Sequence, residues 1–128
     1  MYGNQQLVQQ GLAGAAITAF SFVKSGGTPG DKILLAGSNE ETLGVGPDYA
    51  VASGAMAKYA GEGVAQLKLG GTVTAGNDLI SDGSGFGVAR ATTGTTIQNV
   101  GAIALRDGVS GDIIPVRVIH LPIRPALS

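Results

Sequence analysis

Few side chains in this sequence could do chemistry, and their spacing decides which chemistry is open to them. His120 is the single histidine, and there is no cysteine. That pair of facts removes multi-histidine and thiolate metal sites, disulfides and a cysteine nucleophile. A serine–histidine–acid triad would have to take its serine from loops that lack a GxSxG context. Asp78 and Asp82 lie four apart around a short predicted strand, hence on one face, and Asp107 and Asp112 flank a predicted turn. Calcium loops need a denser oxygen set with a late glutamate, so these four aspartates read as turn caps. The run GSGFG, Gly83–Gly87, has the glycine content of a phosphate loop. A phosphate loop opens a helix, however, and no helical period follows here; the Lys-Ser/Thr ending of a P-loop is also missing. The run predicts a hairpin turn over Asp82–Gly85, between strands ending near Ser81 and starting near Gly87. No catalytic, cofactor-binding or metal-ligating residue is expected, and the chain is not expected to be an enzyme.

The elements around these residues read as short strands. Glycine makes up 22 of 128 residues, against a usual ~7%, and charged residues 13%, against a usual ~25%. With 44% hydrophobic residues this is not a disordered composition. It predicts one all-β domain in which glycine supplies the positive φ of tight turns. AITAFSFVK (Ala16–Lys24) alternates as a strand, with Phe20 and Phe22 sharing a face directed at the core. KILLAG and LGVG follow as short strands, and Pro47–Gly63 as mostly strand and loop. VAQLKL (Val64–Leu69) directs Ala65, Leu67 and Leu69 inward. IQNVGAIAL (Ile97–Leu105) and IIPVRVIH (Ile113–His120) come last, with Pro115 implying an edge position or a bulge because proline donates no ladder hydrogen bond. Gly26–Gly37 (GGTPGDKILLAG) echoes Gly70–Gly83 (GGTVTAGNDLISDG).

The organisation expected is an N-terminal arm over residues 1–15, a β-domain over 16–120 and an extended tail over 121–128. The arm is expected to be dispensable for folding: deleting Met1–Gly11 should leave the domain intact. Low charge and a mean hydropathy of +0.27 leave apolar surface to be covered, which predicts a homo-oligomer, a large partner, or both. Tyr2, Leu7, Val8 and Leu12 near one end, and His120, Leu121, Ile123 and Leu127 near the other, are the candidate interface residues. A net charge of −1 gives no basic surplus for nucleic acid. The uncharged run Gly11–Val23 is too short to span a bilayer and lacks a basic region before it, so no membrane association and synthesis in the cytoplasm are expected.

In order, AITAFSFVK, then VAQLKLGGTVTAGNDLISDGSGFGVARA, then GAIALRDGVSGDIIPVRVIH resemble the capsid cement, or head decoration, proteins of tailed phages, over about Ala16–His120. The resemblance implies a small β-barrel or β-tulip. It also implies a homotrimer on the outer surface of the mature head, at three-fold and quasi-three-fold sites, stabilising the major capsid protein lattice against packaged DNA. It brings no cofactor or catalytic residue. The rival function is a carbohydrate-binding or adhesive β-module on a virion surface.

Overall fold

Strands a few residues long, punctuated by glycine, must find partners in a sheet that curls back on itself. The computed structural model describes residues 7–25, 32–90 and 98–123, and within them it contains nine strands and no helix. These are β1 (Leu7–Ala13), β2 (Phe22–Ser25), β3 (Lys32–Leu35), β4 (Gly44–Val45), β5 (Met56–Lys68), β6 (Asp78–Ser81), β7 (Gly87–Ala89), β8 (Gln98–Ala104) and β9 (Ile113–Ile123). Their order is β1-β3-β2-β4-β5-β9-β8-β6-β7, and β1 returns to pair with β5. The first five therefore close into a barrel, while β5, β9, β8, β6 and β7 form a second curved sheet. That sheet also turns inward, because Leu69, just past β5, bridges Gly87 of β7 in parallel.

β5 is the shared wall. Its residues from Met56 to Glu62 pair with β1, Ala60 also pairs with Val45 of β4, and Gly63–Lys68 pair with β9. Gly63, at the change of partner, has φ 88°, a value that suits glycine and lets the strand bend there. Gly44 has a different constraint: a Cβ there would collide with the backbone carbonyl of Ala60. Only glycine lets the two-residue β4 lie that close to β5.

Burial divides along the same wall. Inside the narrow barrel sit Ala13, Ile17, Val23, Ile33, Val51 and Ala57, a small-residue filling suited to five strands. The larger cluster runs from Phe22 and Val45 across Leu67, Leu69 and Leu79 to Ile114 and Val116. Neighbours on β2, Phe22 and Val23 are both fully buried but belong to different clusters, so this short strand is covered on both faces. Phe22 alone contributes about 1.5–3 kcal/mol of apolar burial.

Three sequence expectations need correction. The strand proposed for Ala16–Lys24 exists only from Phe22 onward, preceded by a lone bridge from Ile17 to Val51. Phe20 interrupts it with φ 58°, outside the extended region and costing about 1–3 kcal/mol for such a residue. Two backbone bonds hold it there, Phe20 N–H to Pro47 O at 2.9 Å and Lys68 N–H to Phe20 O at 2.8 Å. Phe20 consequently does not share a face with Phe22.

Pro115 lies on a strand paired on both sides, not on an edge. Its carbonyl accepts from Leu105 N–H at 3.1 Å, so its nitrogen faces the same side, one residue beyond the last β8–β9 pair, Ala104↔Val116. No ladder donor is needed there. The bulge in β9 comes later, where Ile119 and His120 oppose Gly101 alone.

Finally, the sheet takes in residues 7–13 of the stretch read as an arm and 121–123 of the stretch read as a tail. Deleting Met1–Gly11 would remove most of the strand that closes the barrel, so that truncation is not neutral for folding. Residues 1–6 are the segment that can be removed without touching β1.

The close approach at Gly44 yields a test. Gly44→Ala should lower unfolding stability by about 1–3 kcal/mol in denaturant titration. Gly83→Ala, where a Cβ meets open space, should stay within about 0.5 kcal/mol of the parent.

Candidate functional site

The glycine-rich loop and the aspartates are used structurally. Gly83–Gly87 connects β6 to β7, and a strand, not a helix, follows it. Asp82 Oδ1 accepts from Ser84 N–H at 2.8 Å and Phe86 N–H at 2.9 Å, and Asp82 N–H donates to Phe86 O. Asp78 pairs with Arg90 at 2.9 Å. Asp107 accepts from Ala75 N–H, and Asp112 from Val109 N–H. The two carboxylates expected on one face thus serve different partners. Among the described residues no three His, Asp or Glu side chains converge as metal ligands would.

Glu40 has a displaced titration. Its Oε1 accepts from Lys24 Nζ at 2.7 Å and Gly37 N–H at 2.6 Å, and these contacts hold its pKa below the ordinary 4.5, the Lys24 hydrogen bond most of all. Nearby, Asn39 accepts twice from Asn99, at its Oδ1 from the Asn99 N–H and at its carbonyl from the Asn99 Nδ2, and donates its N–H to Ser81 O. The β3–β4 connection is thereby fastened to the second sheet.

The candidate interface residues fall into two sets. Leu7, Val8 and Leu12 lie on β1, and His120, Leu121 and Ile123 on β9; Tyr2 and Leu127 lie outside the described residues. The backbone brings the start of β1, and not Leu12, close to β9. Leu7 pairs with Glu62 and Val118 with Gly63, consecutive residues of β5, so β1 begins where β9 passes. Leu12 is 41% exposed and pairs across the ladder with Met56, 49% exposed. A second exposed apolar group, Leu105, Val109 and Ile113, surrounds the β8–β9 turn.

Sequence reasoning missed a cavity of about 310 Å³ lined by Phe20, Asp48, Tyr49, Lys58, Tyr59 and Gln66 among others. It lies where the loop after β4 and the chain before β2 meet β5. Its signal was present in PDY at 47–49 and KY at 58–59, two tyrosines each beside a charge, but an assumed core role for Phe20 hid it.

No protein-family profile matches the chain, and neither does any curated protein sequence. Among solved structures, the chain is similar to the head fiber gp8.5 N base of bacteriophage phi29. The TM-score is 0.68 and the identity 17%, with 90% of this chain and 95% of the other covered. The shared property is the fold.

Two outcomes follow from the carboxylates. Asp82→Ala removes two hydrogen bonds and should cost about 1–2 kcal/mol in thermal unfolding, with the sheet retained by circular dichroism. For Glu40, a depressed folded-state pKa means that its contribution is present above the unfolded value of 4.5 and is lost as pH falls through the lower folded value. Because the pair is partly exposed, Glu40→Gln should cost only about 0.2–1 kcal/mol at neutral pH. The parent and the variant should then converge in stability as the solution is acidified below that window.

Proposed function

We propose that this chain is a structural protein of a phage virion, a head decoration or cement protein that sits on the outside of the mature capsid as a homotrimer and braces the major capsid protein lattice. The observation that carries the proposal is the fold likeness to the base of a phage head fiber, nearly end to end in both chains. The order of turn and strand motifs along the sequence supports it independently. Low charge and the exposed Leu12–Met56 pair suit a domain that covers apolar surface by assembling with copies of itself. Three copies on a lattice of matching symmetry gain avidity of about 10²–10⁴ over a single weak contact. In this reading β1 and β9, meeting on β5, present the surface that assembles, and the carboxylates hold turns and ion pairs within the domain.

Co-sedimentation with precursor and expanded shells of candidate capsid proteins tests the proposal. Saturable binding to expanded shells, in multiples of three, is the expected result. In light scattering, Leu12→Lys combined with Met56→Lys should leave the melting transition in place but shift the trimer toward monomer. A parent protein that is monomeric and binds neither form of shell would overturn the proposal.

A further inference from the structure

The cavity at the β4–β5 junction brings aromatic, charged and amide side chains together. Phe20, Tyr49 and Tyr59 are three of only six aromatic residues in the chain, and they reach it from three separate segments. Asp48, Lys58 and Gln66 line it with them. Neither Asp48 nor Lys58 is in an ion pair among the described residues, so a carboxylate acceptor and an ammonium donor both remain available to a ligand. The framework is fixed. Tyr59 packs against the barrel cluster, five lining residues stand on β5, and Phe20 is held in its left-handed conformation by bonds to Pro47 and Lys68. Strain of this kind persists where surrounding structure over-determines it, and it gathers at ligand sites.

The composition selects the ligand. A singly charged ligand would gain from one of Asp48 and Lys58 and be repelled by the other. A purely apolar group would strip water from both charges without pairing either. What fits is a neutral molecule with apolar faces for the aromatic rings and hydroxyls around its rim that both donate and accept. We propose that this cavity is a binding site for a neutral pyranose sugar. Its volume, about 310 Å³, lies at the lower end of the ~300–1,000 Å³ of small-molecule sites, which matches one or two sugar rings and not a long polymer chain. Tyr49, 47% exposed, supplies an aromatic surface that an entering ring can cover. The proposal is independent of capsid attachment, since none of the cavity residues named is among those assigned to the assembling surface.

The experiment is amide-resolved NMR titration of the full chain with glucose, galactose, mannose, rhamnose and N-acetylglucosamine. At least one sugar should give saturable shifts concentrated at residues 20, 46, 48, 49, 58–60 and 65–66. Tyr49→Ala should weaken that binding about tenfold, the size expected from losing an aromatic contact, and Asp48→Asn should weaken it too, both with unchanged melting transitions. Co-sedimentation of Tyr49→Ala with shells should be unaffected, which separates failure of this proposal from failure of the capsid reading. Absence of saturable shifts with all five sugars overturns the proposal. So do shifts that persist undiminished in Tyr49→Ala, or loss of shell binding in that variant without any sugar binding, which would make the cavity a protein-docking pocket.

Discussion

One strand has to satisfy two sheets, and the rest of the molecule is arranged around that demand. β5 has a first half that needs β1 and β4 to complete a barrel and a second half that needs β9 to start the other sheet. A strand this long cannot stay straight between two curved neighbours, and the positive φ of Gly63 lets it bend where its partner changes. The two hydrophobic clusters form on either side of the junction. β2 fills the space between them, with Phe22 directed to one cluster and Val23 to the other.

Much of the fold was legible because turn chemistry is local. The hairpin at Asp82–Gly85, the inward set Ala65, Leu67 and Leu69, and the all-β class each follow from residues within a few positions of one another. What the sequence hid was decided at a distance. Phe20 belongs to an alternating run that reads as strand, yet its backbone is captured by Pro47 and Lys68. Pro115 reads as an edge residue, but the end of β8 relieves its missing donor. The glutamine-rich start looks like a loose arm because little in it is apolar; its pairing comes from the open ladder of β5.

Sites followed the same division. Asp82 and Asp112 cap turns in their own neighbourhood and were readable from the sequence, whereas Asp78 pairs with Arg90 and Asp107 accepts from Ala75, contacts made between distant segments. The cavity gathers residues from positions 20, 48–49 and 58–66, and no short window contains that set. Phe20 read as a core residue of a strand, and only the β4–β5 junction brings it beside Asp48, Tyr49, Lys58, Tyr59 and Gln66. The apolar pair Leu12–Met56 was half visible: Leu12 could be named from the sequence, whereas its cross-strand partner could not.

Barrel closure by the first strand also sets an order of events during synthesis. Leu7 cannot pair until Glu62, 55 residues later, has emerged, a wait of roughly 3–11 s at ~5–20 residues per second. Until then β1 lacks its β5 neighbour, and in a crowded polysome the nearest free β5 can belong to another nascent copy. Exchange of that strand between copies is therefore the characteristic error open to this topology. The same exchange, if completed symmetrically, would link subunits through an element each of them already possesses.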